Sequence, residues 1–138
     1  MRTAIVILNW NGLPWLRRFL PGVLEHSHGA RVVVADNAST DGSPDWLAQE
    51  HPEVECIPLP ENLGFAGGYN AALAGMDMEF YLLLNSDVEV TPGWYRTMER
   101  HLDDNPGMAA CQPKVLSHRE RSRFEHAGAA GGFIDRNG

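Results

Sequence analysis

The stretch that decides the fold is FYLLLNSDVEV, residues 80–90. Its first five residues form an unbroken apolar run, which is too short for a free-standing helix and lacks the polar alternation of a half-exposed strand. The run therefore predicts a central strand that is covered on both faces. It stops at Asn85, Ser86 and Asp87, which are all turn-forming residues. We therefore expect Asp87 at the carboxyl end of a rigid strand, where open α/β sheets bind ligands and where a metal or a phosphate would be held.

Strand-like and helix-like stretches alternate along the rest of the chain. Four further strands are predicted, at residues 3–8, 31–35, 53–59 and 108–113. Helices are predicted between them, beginning at Leu13, after a cap at Ser43, near Leu63, and at Pro92 after a cap at Thr91. Pro21 is expected to break or kink the first helix, and Trp10 and Trp15 are interpreted as packing residues. This alternation predicts an α/β fold with a mostly parallel sheet and right-handed crossovers.

Length and composition limit the class of protein. With 138 residues, of which 43% are hydrophobic, the chain is expected to form one domain or part of a larger one. Its formal net charge of −7 argues against nucleic acid as a partner, because such binding rests on clustered Lys and Arg. The segment RERSR, residues 119–123, is a local exception. It is either a solvated connector or a contact for an acidic membrane surface or an anionic ligand.

Neither the cysteines nor the apolar segments indicate export or a membrane span. Cys56 and Cys111 lie in apolar, strand-like contexts, so they are predicted to be buried small hydrophobic residues rather than a disulfide or a metal-binding pair. The chain starts without a signal-peptide pattern, and no apolar segment approaches the roughly 20 residues of a membrane helix. A cytoplasmic location is therefore expected.

Polar residues follow the carboxyl end of four predicted strands. These clusters occupy residues 9–11, 36–41, 62–70 and 85–87. Because the carboxyl ends of parallel strands share one edge of a sheet, the four clusters are expected to converge in space. Each cluster alone is explained by ordinary turn chemistry. Four clusters with this much Asp and Asn together predict a ligand site.

Familiar motifs for phosphate, calcium and zinc are missing. The chain has no P-loop, and the glycines of residues 64–68 lack the dinucleotide-binding spacing. Residues 37–42 imitate the start of a calcium loop, but Ala48 stands where the bidentate Glu is needed. What remains is the carboxylate of Asp87 beside an amide and a hydroxyl, which suits Mg²⁺ or Mn²⁺ held jointly with a diphosphate. Since Asp36 could accept hydrogen bonds from a base or a ribose, the residues indicate a nucleoside diphosphate site.

Four segments carry a resemblance to a known family. They are IVILNWNG at residues 5–12, VVVADNASTDGS at 32–43, ENLGFAGGYNAAL at 61–73 and LLLNSDVEV at 82–90. Together they resemble the inverting glycosyltransferases of family two, especially the rhamnosyltransferase-like branch, over nearly the whole chain. This resemblance implies the GT-A fold, a Rossmann-like three-layer sandwich with a mostly parallel central sheet.

The resemblance also implies which residues form the donor site. The expected donor-binding residues are Asn9, Asn11, Asp36, Asn37, Asp41, Asn62, Gly64, Gly67, Asn70 and Asn85. Asp87 matches the metal-binding carboxylate of the family's DxD motif. Two residues depart from the pattern, since Asn85 replaces the first Asp and Ser86 replaces the Pro that is usual in this branch. With one negative charge fewer, the site is predicted to bind metal weakly unless the donor is present.

The implied reaction is a direct displacement at the anomeric carbon of the sugar. The metal would stabilise the departing diphosphate while a carboxylate base deprotonates the acceptor hydroxyl. In the family this base lies in an acidic motif well downstream, so it is expected beyond residue 138. Residues 1–138 are therefore expected to be one nucleotide-sugar binding domain, the N-terminal part of a larger glycosyltransferase domain, and inactive alone. Asp77 and Glu79 precede the fourth strand, on the wrong side of the sheet to replace the base.

The implied partners are a UDP- or dTDP-linked sugar donor and a glycan or lipid-linked acceptor, as in polysaccharide biosynthesis. Such an acceptor is compatible with peripheral association at the inner face of the membrane. Two alternative functions stay open. A sugar nucleotidyltransferase would need a glycine-rich loop with Lys or Arg after the first strand, and residues 9–13 contain no basic residue. A non-catalytic nucleotide-sugar binding module would need no base at all.

Overall fold

The structure, a computed structural model, describes residues 1–124. Its strands and helices alternate along the chain. In chain order they are β1 (Thr3–Asn9), α1 (Leu13–His26), β2 (Arg31–Asp36), α2 (Ser43–Glu50), β3 (Glu55–Pro58), α3 (Gly64–Leu73), β4 (Phe80–Asn85) and α4 (Trp94–Asp104). The chain divides into two compact units, of which the first, Met1–Gly93, contains the whole sheet described here and the second begins at Trp94 with α4. No helix in the described part of the chain has both the length and the apolar character needed to cross a bilayer.

The four strands form one sheet in the order β3-β2-β1-β4, and every pairing is parallel. From β1 to β3 the chain moves in one direction across the sheet, and it then returns past β1 to β4. Because parallel crossovers are right-handed, α1 and α2 lie on one face and α3 lies on the other. The α/β class, the mostly parallel sheet and the three-layer arrangement predicted from the sequence are therefore confirmed.

The core is built around β1, in which all seven residues are buried. Successive side chains of a strand point to opposite faces. Accordingly, Val6 and Leu8 pack with Ala72 of α3 on one face, while Ile5 and Ile7 fill the other. The predicted close backbone approach of the glycine cluster is confirmed at Gly68, where an added Cβ would lie 2.8 Å from Leu8 Cδ1. The small residue lets α3 pack directly on the sheet.

The prediction that residues 80–84 form a central strand covered on both faces is wrong. Among the described residues, β4 lies at the edge of the sheet and pairs only with β1. Its burial alternates, with Tyr81 36% exposed and Leu83 54% exposed, while Leu84 is buried. The Tyr81 hydroxyl also bonds to the backbone of Met76 and Met78, as a half-exposed residue can. An apolar run therefore did not distinguish an edge strand from a central one.

The predicted fifth strand is also wrong. Residues 108–113 form no strand and are almost entirely exposed. No neighbouring strand in the described chain offers them a hydrogen-bonding ladder. The only β contact found after α4 in residues 105–124 is a single antiparallel bridge between Leu116 and Phe124. Composition alone therefore produced a false strand.

Several predicted boundaries moved for local reasons. The helix α1 continues past Pro21 to His26, because Phe19, Leu20 and Val23 are buried on its inner face and outweigh the lost hydrogen bond. Strand β3 is shorter than predicted, and both α2 and α4 begin away from their predicted caps. Strand β3 spans only Glu55–Pro58, the N-cap of α2 is Gly42, and α4 starts at Trp94.

The predicted packing of two tryptophans and two cysteines is not borne out in full. Trp10 is 58% exposed, so its interpretation as a packing residue is wrong. Trp15 is 46% exposed but stacks on Phe19 with ring centroids 6.2 Å apart, so it packs in part. Cys56 and Cys111 are free thiols that are only partly buried. Burial is the main cause that raises the pKa of the Cys56 thiol, and the nearby charge of Asp36 adds to it. The absence of a disulfide between the cysteines is confirmed.

Candidate functional site

The carboxyl ends of the strands lie side by side along one edge of the sheet. Asn9, the last residue of β1, is in register with Asp36, the last residue of β2. On the other side of β1, Leu8 is in register with Asn85, the last residue of β4. Asp87 follows two residues later, at the same edge as Asp36. The segments that carry the predicted polar clusters therefore all start from this edge, which we call the carboxyl edge.

Asn9, Asp36 and Ser39 form a buried network at the centre of the carboxyl edge. Asn9 Nδ2 donates to Asp36 Oδ1 at 3.0 Å and to Ser39 Oγ at 3.1 Å. The backbone N–H of Ser39 donates to Asp36 Oδ2 at 2.9 Å. Asn9 is 0% exposed and Asp36 is 2% exposed. Both carboxylate oxygens of Asp36 are thus used inside the protein, so this residue shapes the loop after β2 rather than presenting a free carboxylate.

Asn11 and Asp41 connect the same loop to the start of α1. Asn11 Oδ1 accepts a 2.7 Å hydrogen bond from the backbone N–H of Thr40. Asp41 accepts from the backbone N–H of Leu13 at 2.8 Å and from that of Ser43 at 3.0 Å. These N–H groups belong to the first residues of α1 and α2, and such groups have no partner within their own helix. The carboxylate of Asp41 therefore caps two helices at once.

The pKa of Asp41 reflects this double cap. Partial burial of Asp41 raises its pKa, but the hydrogen bonds from Ser43 and Leu13 together outweigh that effect. The net pKa lies below its ordinary value, so the ionised form is stabilised in the folded protein. Asp41 acts here as a structural anion.

Asn37 ties the end of β2 to the entry of α3. Its Nδ2 donates to Asn62 Oδ1 at 2.9 Å and to the carbonyl of Gly64 at 3.2 Å. Its Oδ1 accepts from the backbone N–H of Leu63 at 2.9 Å. Asn37 is only 2% exposed, so its amide is used entirely within the protein. The Asn37 contacts hold the loop before α3 against the carboxyl edge.

Gly64 and Gly67 were predicted to bind the donor, and the local backbone explains why each of the two positions carries a glycine. Gly64, the first residue of α3, has a φ of +67°, a backbone conformation that is strained for any residue with a side chain. Gly67 lies within α3, where an added Cβ would be 2.9 Å from Leu63 Cβ. Both positions shape the start of α3, whose exposed first turn lies next to the loop held by Asn37.

A second group of side chains is exposed and open to a ligand. Among the predicted residues it comprises Asn11, Asn62, Asn70, Asn85 and Asp87. No hydrogen bond or ion pair to the Asp87 carboxylate is found among residues 1–124. Trp10, at the end of β1, and Phe65, in the first turn of α3 and 71% exposed, add two aromatic faces.

The residues at the end of β4 fit a divalent cation only if the cation has further ligands. Within residues 1–124 there is no group of three or more His, Cys, Asp or Glu side chains that could hold a metal. The available donors at this point are the exposed carboxylate of Asp87, the amide of Asn85 and the hydroxyl of Ser86. These are hard oxygen donors, but they are too few for the six ligands that Mg²⁺ prefers. The set therefore suits a cation shared with a diphosphate.

Sequence reasoning missed four residues at this edge. Ser39 and Ser43 act as hydrogen-bonding centres of the loop after β2, and only their place in a serine- and aspartate-rich turn signalled this. Trp10 is exposed between two Asn residues that end a strand, which is an unusual place for a packing residue. Ser86 was expected as a hydroxyl beside Asp87, but its place near the buried side chain of Asn9 was not predicted.

Comparison with known proteins agrees with the fold and the family resemblance. Residues 4–134 match the family model Glycosyl transferase family 2. An N-acetylglucosaminyl-diphospho-decaprenol L-rhamnosyltransferase of Mycobacterium tuberculosis is 30% identical over 101 residues, which cover 64% of this chain and 33% of that protein. A pre-mycofactocin glycosyltransferase of the same organism is 30% identical over 115 residues, covering 83% of this chain and 23% of the relative. The chain thus spans about a third of these relatives or less.

Solved structures with the same fold include two nucleotide-sugar complexes. The Staphylococcus aureus TarS 1–349 complex with UDP-GlcNAc has a TM-score of 0.66 at 18% identity, over 85% of this chain and 39% of that one. The mannosyltransferase PcManGT of Pyrobaculum calidifontis, in complex with GDP-Man and Mn²⁺, has a TM-score of 0.64 at 23% identity, over 83% of this chain and 34% of that one. At these identities the likeness shows the fold alone. With the family model matching nearly its whole length, the chain belongs to glycosyl transferase family 2.

Proposed function

We propose that this chain is the donor-binding part of an inverting glycosyltransferase, which holds a nucleoside diphosphate sugar and a divalent cation at the carboxyl edge. The observation that carries the proposal is the position of Asp87. Its exposed carboxylate has no internal partner in the described chain and follows β4 at the edge where the loops after β1, β2 and β3 also start. A carboxylate left open at this edge is available for a cation, because open α/β sheets bind ligands there.

The residues of the carboxyl edge divide into two roles in this proposal. Asn9, Asp36, Asn37 and Asp41 preorganise the loops, since their polar atoms are used almost entirely within the protein. Preorganisation lowers the entropy that the loops lose when a ligand binds. The residues proposed to contact the donor are the exposed ones, namely Asn11, Asn62, Asn70 and Asn85, together with the backbone near Gly64 and Gly67. Trp10 offers a flat apolar surface on which a nucleobase can stack.

The relatives support the choice of ligands. TarS and PcManGT were solved with UDP-GlcNAc and with GDP-Man and Mn²⁺, respectively. For this chain we propose a UDP- or dTDP-linked donor with Mg²⁺ or Mn²⁺. The name of the mycobacterial rhamnosyltransferase describes a lipid-linked acceptor. A lipid-linked or glycan acceptor, a role in polysaccharide biosynthesis and a cytoplasmic site of action at the inner membrane face are proposed accordingly.

The chemistry divides between the cation and the chain. A bound cation supplies Lewis-acid stabilisation of the charge on the departing diphosphate. Asp87 would hold that cation, with Asn85 as a neighbouring oxygen donor. Asp36 and Asp41 do not serve as the general base in this proposal, because their oxygens are already engaged. We therefore place the base outside this chain and propose that residues 1–138, as the N-terminal part of a larger domain, bind the donor without transferring the sugar.

Calorimetric titration with UDP and dTDP, with and without Mn²⁺, tests the proposal. The wild-type chain is expected to bind one of them more tightly when Mn²⁺ is present. Asp87→Asn should abolish this gain, since it removes the charge that holds the cation. Asp77→Asn is the matched control, because Asp77 is an exposed carboxylate that precedes β4, and it should bind like the wild type. If Asp87→Asn keeps the full Mn²⁺-dependent gain, Asp87 is not part of the site and the proposal fails.

Two alternatives were left open by the sequence. A nucleotide-sugar binding module without catalysis would give the same titration, so it is separated by assaying the longer protein for sugar transfer. A sugar nucleotidyltransferase would release pyrophosphate from a nucleoside triphosphate and a sugar phosphate. We expect no pyrophosphate release, because residues 9–13 carry no basic side chain to bind a triphosphate.

A further inference from the structure

The side chain of Asn9 has one satisfied end and one unsatisfied end. Its nitrogen donates two hydrogen bonds, to Asp36 and Ser39. Its oxygen, Oδ1, is buried and accepts no hydrogen bond from the described part of the chain. Buried acceptors without a donor are rare in native proteins, because they lose their hydrogen bonds to water without replacement. A donor for Asn9 Oδ1 is therefore to be sought among its neighbours.

Two neighbours lie close to this oxygen. A Cβ built on Gly12 would be 2.4 Å from Asn9 Oδ1 and 3.0 Å from Ser86 Oγ. Both oxygens therefore face the same side of Gly12, and a residue with a side chain at that position would collide with Asn9. No hydrogen bond from Gly12 to Asn9 Oδ1 is found. The hydroxyl of Ser86 is a strong donor, and no hydrogen bond from it is found within residues 1–124.

The register of the sheet explains why Ser86 comes to this place. Leu8 of β1 is paired with Asn85, the last residue of β4, so Ser86 follows β4 directly beside the end of β1 at Asn9. Asn9 Oδ1 and Ser86 Oγ accordingly lie near the same point, the Cβ position of Gly12. Rotation of the Ser86 side chain, or one bridging water, can join its hydroxyl to Asn9 Oδ1.

We propose that Ser86 is a positioning residue for the metal-binding carboxylate. Its hydroxyl donates to Asn9 Oδ1, directly or through one water, and so ties the turn that carries Asp87 to the buried central strand. The inference rests on the proposed function, because the tether is useful only if Asp87 binds the cation. Asp87 is exposed and has no described contact that would fix its carboxylate, so the adjacent tether restricts where the carboxylate can lie. This restriction lowers the entropy lost when Asp87 closes on a cation shared with the diphosphate.

Calorimetric titration of three variants tests the tether. Ser86→Ala removes the hydroxyl, Ser86→Thr keeps it, and Thr91→Ala removes an exposed hydroxyl from the same connection between β4 and α4. Each is titrated with UDP or dTDP, whichever the wild type binds more tightly, with and without Mn²⁺.

Ser86→Ala should weaken binding in the presence of Mn²⁺ by about three- to tenfold, as expected for one lost hydrogen bond. Without Mn²⁺ its affinity should be that of the wild type. Ser86→Thr and Thr91→Ala should match the wild type in both conditions. An equal loss with and without Mn²⁺, no loss at all, or a loss in Ser86→Thr equal to that in Ser86→Ala would each overturn the positioning role.

A second measurement needs no nucleotide. In ¹⁵N-labelled protein, Ser86→Ala should shift the side-chain amide resonances of Asn9 and speed their exchange with water, whereas Thr91→Ala should not. Backbone amide spectra of the same samples show that the variants are folded. Unshifted Asn9 resonances would overturn the tether. If the wild type binds neither nucleotide under any condition, the proposed function fails, whereas the contact between Ser86 and Asn9 is still decided by these resonances.

Discussion

Polar side chains are buried and hydrogen-bonded at the carboxyl edge of the sheet, whereas at the opposite edge they are exposed and form ion pairs. At the carboxyl edge, Asn9, Asp36 and Asn37 are almost completely buried and bonded to one another or to the loops beside them. At the opposite edge, where the strands begin and which we call the amino edge, polar side chains form exposed ion pairs such as Arg31–Glu55, in which the side chains are 39% and 44% exposed. Exposed pairs contribute about 0–1 kcal/mol each. Buried polar groups are costly when one partner is lost, so only the carboxyl edge depends on every member of its network.

This difference in burial bears on the proposed function of the carboxyl edge. The buried network fixes the loops that carry the exposed candidates Asn11 and Asn62, whereas the amino edge leaves its charges in water. A protein that needed only stability would gain little from a buried carboxylate, because burying it has a desolvation cost. In the proposed function, this network serves as support for the ligand site. Variants at the two edges test this comparison.

The largest effect is expected from Asp36→Ala. The substitution leaves the buried Asn9 Nδ2 without its 3.0 Å acceptor and the part-buried Ser39 N without its 2.9 Å acceptor. We expect the free energy of unfolding to fall by about 3 kcal/mol, since each orphaned buried group costs about 1–3 kcal/mol. Denaturant unfolding measures this loss. Asp45→Ala, which removes an exposed carboxylate from α2, is the control and should change it by less than about 1 kcal/mol. Similar losses of unfolding free energy in both variants would show that the buried network contributes no more to stability than an exposed carboxylate does.

The second-largest loss of stability is expected from Gly12→Ala, next to α1, and Gly22→Ala within α1 serves as its comparison. Gly12→Ala places a Cβ 2.4 Å from Asn9 Oδ1, so the buried network must shift. We expect a loss of about 2 kcal/mol in unfolding free energy, within the range for overpacked sites. Gly22→Ala, in the interior of the same helix, meets nothing within 4 Å and should instead stabilise by about 0.5–1 kcal/mol. Thermal unfolding of the two variants should therefore shift in opposite directions, and shifts of the same sign would contradict the crowding at Gly12.

Asp41→Ala should give a smaller loss that depends on pH. It removes the caps of α1 and α2, and we expect a loss of about 1–2 kcal/mol at pH 7. The pKa of Asp41 is lowered in the folded protein from its ordinary value of 3.8. Its contribution is therefore fully present above pH 3.8 and is lost as the pH falls through the lower folded value. Denaturant unfolding from pH 7 to pH 2 should show the wild type and variant converging at the acid end, and a constant difference would contradict the role of the ionised form.

The sequence predicted the fold well where one local pattern had one meaning. The β-branched runs of β1 and β2 and the turn residues after them identified two strands almost to the residue. The prediction failed where one pattern is compatible with two structures, because an apolar run such as residues 80–84 fits both a central strand and an edge strand. Which of these it becomes depends on whether a neighbour is present on each side, and that is a property of the whole sheet.

The convergence of the candidate residues was predictable from the sequence, but the contacts among them were not. Parallel topology alone brought the clusters at Asn9, Asp36 and Asp87 to one edge. However, the partners of Asp36 and Asn37 lie 25 or more residues away in the chain, apart from the local bond to Ser39. No spacing rule reveals such contacts, so the sequence did not predict that Asp36 and Asn37 are bonded within the protein.

The smallest effect is expected at the amino edge. Glu55→Gln removes the charge that pairs with Arg31 while it keeps the shape and the hydrogen-bonding oxygen of the side chain. We expect a change of less than about 0.5 kcal/mol in unfolding free energy, because both side chains remain in contact with water. Adding salt should shrink even this difference, since exposed charges are screened. A loss comparable to that of Asp36→Ala would mean that the two edges do not differ in kind, and the inference that the buried network supports a ligand site would lose its basis.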